Sequence, residues 1–193
     1  MNHRVYMIHS VKFKCVLDTN VIYPLEIRDI LFWFAFHELY TIKWSKHIFD
    51  EWLSVMIRKN VDINEAEKRI KKAEKAFPDA YVHNYEPLMD KLNLPDKNDC
   101  HVLAAAIKTN ADLIVTNNIK DFPEDYLSLF DLKAKTADDF LTDLIDLNQK
   151  QSVKAFRDLV LNRNSPHLNE FEMLDIFRNR NLEKTANYLH TLI

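Results

Sequence analysis

The apolar positions of this chain recur with two periods, near two and near 3.6 residues, and the switch between them outlines the elements. Residues 12–17 form an aromatic and β-branched run that reads as a first strand, and it delivers Asp18, Thr19 and Asn20 at its end. Residues 21–24 break the extended run. Residues 29–40 then place Ile30, Leu31, Phe34 and Leu39 at helical spacing. A short extended piece follows at 41–44. Ser45 is an N-cap for a helix carrying Ile48, Trp52, Val55 and Met56 on one face. Asp62 or Asn64 opens an amphipathic, charged helix that reaches Phe77, and Pro78 ends it.

The second half repeats the alternation. Residues 80–83 read as a strand and 87–92 as a short helix. Turn chemistry at 94–99 leads into an Ala-rich helix from Cys100 to Ile107. Residues 111–118, with Leu113-Ile114-Val115 at their centre, are a buried-type strand ending in polar groups. A last strand lies near 132–135, and residues 136–139 cap a helix from about Phe140. Strands alternating with helices over short connections predict an α/β fold with a parallel sheet. From residue 149 onward the pattern is helical only: 154–161, 168–177 and 182–192, with joints at 162–166 and 178–181. The predicted division is therefore residues 1–147 as one α/β domain and 148–193 as a helical C-terminal extension.

Composition narrows the chemistry. The chain has 193 residues, 47% of them hydrophobic, enough for a packed core. It contains 26 Lys and Arg against 29 Asp and Glu, a net charge of −3, which argues against a passive nucleic-acid coat. An acidic centre that recruits divalent cations remains compatible with that charge, because a bound ion changes the local sign. The chain has no Gly at all. That excludes a P-loop, a Gly-rich dinucleotide fingerprint and a Gly-Xaa-Ser-Xaa-Gly elbow. Any phosphate must then be handled by side chains or metals. Cys15 and Cys100 sit in apolar contexts and read as buried, reduced thiols. No apolar run reaches a membrane span, and the first eleven residues lack a signal-peptide core, so the expectation is a cytoplasmic protein with no membrane partner.

Four acids stand out by placement: Asp18 at a strand end, Glu51 in the first turns of the helix after Ser45, Asp99 opening the Ala-rich helix, and Asp121 after the Leu-Ile-Val strand. A parallel sheet brings such positions to one rim, and clustered carboxylates suit hard divalent cations. Acids at helix starts also serve as caps. Asp96 and Asp99, three apart, fit a capping arrangement as well. Asp18 is different, since no helix clearly opens directly after it.

The segments Val16-Leu17-Asp18-Thr19-Asn20-Val21, Ser45-Lys46-His47-Ile48-Phe49-Asp50-Glu51-Trp52, Asp99-Cys100-His101-Val102-Leu103-Ala104-Ala105-Ala106 and Ala111-Asp112-Leu113-Ile114-Val115-Thr116-Asn117-Asn118 through Pro123 occur in that order. Together they resemble the four motifs of PIN-domain nucleases, and within that family the chain looks most like VapC-type toxins of toxin–antitoxin pairs. The resemblance covers roughly residues 11–140, and the tail resembles the extension of a longer VapC-like subgroup. It implies a three-layer α/β/α sandwich with a central parallel sheet, Mg²⁺ or Mn²⁺ at the acidic site, and hydrolysis of RNA phosphodiester bonds in structured RNA such as tRNA. It also implies a homo-oligomer and a cognate antitoxin protein as partners. Carried over by position, Asp18, Glu51, Asp99 and Asp121 would hold metal, and Asn20 and Thr116 would orient carboxylates or water. Many relatives carry an acid where this chain has Asn118, so either Asp121 supplies that role or Asn118 is a neutral ligand. Asp96 competes with Asp99 for the third place, and the position one turn before Leu103 favours Asp99. Loss of an acid at Asn118 leaves an alternative reading open: a catalytically weakened PIN domain that binds RNA or protein. Lys46, Lys97 and Lys120 each flank one of the acids and would guide phosphates inward, or are ordinary surface lysines. His47 and His101 lie beside the acidic motifs and are candidates for phosphate contact or acid chemistry, or are simply satisfied structural residues.

Overall fold

The computed structural model describes residues 13–163 and 166–193. Lys12, at the start of the expected first strand, and residues 164–165 in the expected joint lie outside them. In chain order the elements are β1 (Lys14–Leu17), α1 (Thr19–Ile22), α2 (Leu25–Phe36), β2 (Thr41–Ser45), α3 (Lys46–Arg58), α4 (Ile63–Ala76), β3 (Tyr81–Val82), α5 (Glu86–Met89), α6 (Cys100–Thr109), β4 (Leu113–Val115), α7 (Glu124–Leu127), β5 (Lys133–Lys135), α8 (Ala137–Leu147), α9 (Gln149–Leu161), α10 (Glu170–Asn179) and α11 (Glu183–His190). The five strands form one sheet in the order β3-β2-β1-β4-β5, with every neighbouring pair parallel. With helices packed on the sheet, this is the three-layer α/β/α arrangement that the resemblance implies.

The strand order positions the site. From β1 the chain moves outward through β2 to β3, then crosses back to place β4 on the other side of β1. The carboxyl ends of β1 and β4 therefore flank a topological switch point, where open α/β sheets present their crevice. The Asp18 amide extends the ladder, donating to the Val115 carbonyl over 3.0 Å. Residues Cys15, Val16 and Leu17 of the central strand are fully buried, as are Ile114 and Val115 beside them. The Ala-rich face of α6 lies against β1, β2, β3 and β4, since Ala104, Ala105 and Ala106 let the helix backbone approach closely. Both cysteines are free and buried, as expected.

Several boundaries differ from the sequence reading for local reasons. A helical turn does open directly after Asp18: α1 begins at Thr19 with Asp18 at its N-cap, yet the Asp18 side chain makes no capping bond. Helix α2 starts four residues earlier than expected, because Pro24 at its N-cap holds φ at −66° and leads straight into the helix. It ends at Phe36, ahead of Glu38 at φ 59°. Helix α8 begins at Ala137, capped by Thr136, and α9 already at Gln149, capped by Asn148. Ser45 caps α3 as read from the sequence, and of the two candidates Asp62 and Asn64 it is Asp62 that caps α4. With no Gly to take positive φ, the left-handed positions of the described residues fall to Glu38, Asn60, Asn84, Asn110, Asp131 and Asn181. Four of these are Asn, whose short polar side chain tolerates that region.

The C-terminal helices do not stand apart. Helix α9 packs on α2 and α8, and α11 packs on α8 and α10. Phe156, Phe177 and Leu189 belong to the same buried cluster as Val16 and Ile30. Of the aromatic set on α2, Phe34 is buried and Phe36 is 62% exposed, while Phe32 and Trp33 pack partly buried against the core.

Candidate functional site

Asp18 is 4% exposed, at the carboxyl end of the central strand. Its Oδ2 accepts from Thr116 Oγ1 at 2.7 Å and from Asn20 Nδ2 at 2.6 Å. Asn20 also donates to Thr116 Oγ1 and accepts from the Asn117 amide at 2.8 Å, so residues after β1 and after β4 lock together around one carboxylate. Burial raises the Asp18 carboxyl above its ordinary range, and the Thr116 bond works against that shift.

Glu51 approaches from α3. Thr19 Oγ1 donates to Glu51 Oε2 at 2.7 Å, and His101 Nε2 lies 3.1 Å from Glu51 Oε1. Burial would raise the Glu51 carboxyl, but the bonds from His101 and Thr19 outweigh it and leave the group below its ordinary value. His101 is 4% exposed on α6. Its ring stacks on His47 with centroids 5.5 Å apart, and His47 Nδ1 lies 2.5 Å from the Tyr85 hydroxyl. His101 thus sits behind Glu51 as a holding group, one of the alternatives left open by the sequence.

Asp99 precedes α6. Burial, together with repulsion from Asp18, Asp96, Asp121 and Glu51, raises its carboxyl to about 7. Its Oδ2 is buried and has no hydrogen-bond partner. Oxygens of Asp96, Asp99 and Asp121 lie within 4.8 Å of one another. Asp96 spends one oxygen on the Asn98 amide at 2.9 Å, capping the 3₁₀ turn Lys97–Asp99. Asn118 donates through its side-chain amide to Asp121 Oδ2, and its backbone N–H donates to Thr116 Oγ1 at 3.0 Å.

Asp18, Glu51 and Asp99 line a single cleft of about 790 Å³. Asp121 lies beside it, linked through Asp99. Among the described residues the three acids that converge within 4.8 Å are Asp96, Asp99 and Asp121, and no such group includes Asp18 or Glu51, which share the cleft with Asp99 instead. All these donors are hard oxygens, and one is buried without a partner, which fits Mg²⁺ or Mn²⁺ and not a thiophilic metal.

Of the three lysines expected around the acids, Lys97 lines the cleft while donating to Asn93 Oδ1 at 2.7 Å. Lys46 is tied to Asp50 at 2.6 Å on the surface, and Lys120 is exposed on the 3₁₀ turn Ile119–Asp121. Neither lines the cleft. Arg58 and Lys59 line it instead, and the sequence reading passed over them. Their signal was available: they lie about two helical turns beyond Glu51 on α3.

Residues 14–120 match the PIN domain family. The chain belongs to that family. Residues 137–191 match a second family, the VapC50 C-terminal domain. A relative from Mycobacterium tuberculosis named "Putative ribonuclease VapC50" is 36% identical over 96 residues, which is 50% of this chain and 56% of that protein, so the match spans just over half of the relative's length. No solved structure matches. Among the described residues of this PIN-domain chain, no helix is long and apolar enough to cross a membrane.

Proposed function

We propose that this PIN-domain chain is a metal-dependent endoribonuclease and the toxin of a toxin–antitoxin pair. The observation that carries the reading is the meeting of Asp18, Glu51 and Asp99 in one cleft, with a buried Asp99 oxygen lacking any partner. Asp18, Glu51, Asp99 and Asp121 hold Mg²⁺ or Mn²⁺. A bound divalent ion supplies Lewis-acid stabilisation of charge on the phosphoryl oxygens and lowers the pKa of water. The protein's own part is positioning. Thr116 and Asn20 hold the Asp18 carboxyl in place and oppose the upward shift that burial imposes on it, and Thr19 and His101 approach the two oxygens of Glu51. Asp99, whose buried Oδ2 has no hydrogen-bond partner, would hold the ion as a carboxylate. Asn118 orients Asp121, and Asp96 serves as a capping residue near the site.

The substrate in this reading is RNA, with structured RNA such as tRNA the class to try first. The name of the M. tuberculosis relative and the matching C-terminal domain support the assignment. Residues 1–147 carry the chemistry and 148–193 form the extension. A cognate antitoxin covers the toxin in the cytoplasm, and the chain forms a homo-oligomer. The test is Asp18→Asn: loss of Mg²⁺-dependent RNA cleavage with unchanged circular dichroism supports the reading, and full activity in that variant removes it.

A second reading, a weakened site that only binds, is favoured by Asn118, a neutral residue where the resemblance to PIN-domain nucleases implies an acid. Calorimetric titration with Mn²⁺ separates the two, since absence of binding at millimolar metal selects the second.

A further inference from the structure

The cleft is graded along its length. Its inner end holds the carboxylates of Asp18, Glu51 and Asp99. The half-buried Tyr23, Val55 and Met89 line it too, as do Arg58 and Lys59 at the end of α3, about two helical turns beyond Glu51. Cations at the C-terminal end of a helix have an ordinary explanation, since they complement the helix dipole. Two observations go beyond it. Both side chains line the acidic cleft, and neither is paired within 4.0 Å with a carboxylate of the described residues, although Asp50 lines the same cleft and is engaged by Lys46 instead. Both cations are exposed and so can meet a phosphate that enters the cleft.

Glu51 and Arg58 lie on one face of α3, about 10 Å apart along its axis. One phosphate cannot touch both ends. We infer that Arg58 and Lys59 form a subsite for a phosphate neighbouring the one that is cut, with the intervening base of a single-stranded RNA segment lying against Tyr23. The inference rests on the ribonuclease reading above and adds to it a strand state and a binding register. A base can lie on Tyr23 only when it is unstacked from its neighbours, which selects a loop, bulge or free end over a continuous duplex. Helix α3 then acts as a ruler: its second turn addresses the cut phosphate and its last turn the next contact.

The test is salt-dependent binding of a fluorescent single-stranded RNA oligonucleotide. Asp18→Asn serves as the background, so that no cleavage intervenes. Adding Arg58→Ala with Lys59→Ala reduces the slope of log affinity against log salt by about 0.7, the value for losing one phosphate contact to a single strand. The control pair Lys71→Ala with Lys72→Ala removes the same charge from the exposed face of α4 and leaves the slope unchanged. Tyr23→Ala weakens binding by about tenfold without moving the slope, and Tyr23→Phe restores it. In the otherwise unmodified enzyme, the Arg58/Lys59 pair raises KM with little change in kcat and leaves Mn²⁺ affinity unaltered. RNA binding with an unchanged slope in that variant overturns the subsite. So does an equal loss of slope in the α4 control, or a blunt duplex bound as well as the single strand. A protein that neither binds nor cuts RNA at low salt removes the ribonuclease reading, and the subsite with it.

Discussion

The hydroxyl of Thr116 donates to Asp18 Oδ2 over 2.7 Å, joining residues 98 positions apart across the ends of two adjacent parallel strands. The same oxygen of Thr116 accepts from Asn20 and from the Asn118 amide, so one buried side chain coordinates three others. Replacing it by Val keeps the shape and removes the hydroxyl. We expect Thr116→Val to reduce metal affinity and RNA cleavage by about 10–100-fold, the range for losing a group that orients a metal ligand. A destabilisation of about 1–3 kcal/mol accompanies it, because buried polar partners are left unpaired. Wild-type metal affinity in this variant would mean that Asp18 is held by packing alone.

Asp99 gives a pH dependence with a definite sign. Its carboxyl titrates near 7 in the folded chain and near the ordinary value of about 3.9 when unfolded. Between these values the native state binds more protons than the unfolded state. The stability of the metal-free protein through this group therefore falls as pH rises from about 4 to about 7. If Asp99 is a metal ligand as proposed, binding displaces that proton, and the stabilisation conferred by Mn²⁺ is expected to grow across the same window and level off above it. Thermal melts with EDTA and with Mn²⁺ at a series of pH values measure both trends. Asp99→Asn is expected to flatten both.

Asn118 offers a gain-of-function test. Its side-chain amide donates to Asp121, so Asn118→Asp exchanges an attractive contact for repulsion between neighbouring carboxylates. The metal-free variant is expected to melt lower than the parent. Its Mn²⁺ affinity is expected to rise, since more negative charge converges on the ion. Calorimetry that finds weaker binding would place residue 118 outside the metal's reach.

The tail is fastened by an acid from another helix. Helix α11 has Leu182 at its N-cap, which supplies no side-chain acceptor, and Asp138 on α8 takes that role. Its oxygens accept from the Lys184 amide at 3.0 Å and the Thr185 amide at 2.8 Å. Asp138→Ala is expected to cost about 1–2 kcal/mol, as loss of a helix cap does. That lowers the melting temperature by about 2–4 °C per kcal/mol in a chain of this size. Asp138→Asn keeps one acceptor and recovers part of the loss. RNA cleavage at a temperature where both variants are folded should be unaffected, because Asp138 does not line the cleft.

The order of strands and helices was legible because burial imposes a period on each element: Leu113-Ile114-Val115 read as a buried-type strand, Ser45 marked the start of α3, and Asp62, one of two candidates, that of α4. Asp18 was legible as chemistry because an acid directly after a buried strand needs a reason. The short helical turn after it was not, since α1 is only four residues and the Asp18 side chain at its N-cap makes no capping bond. Pairings across the site were also hidden: Thr19 with Glu51 spans 32 positions and Thr116 with Asp18 spans 98. Sequence spacing alone therefore nominated the acids and assigned three lysines as their escorts. The sheet order decided the rest. By setting β4 beside β1 it made a crevice at their ends, gave Asp18 its buried clamp, turned His101 inward behind Glu51, and left Arg58 and Lys59, rather than Lys46 or Lys120, facing the acids. Local periodicity fixes which face of an element is apolar, whereas the partner of a polar side chain is set by which strand ends meet, and that is a property of the whole fold.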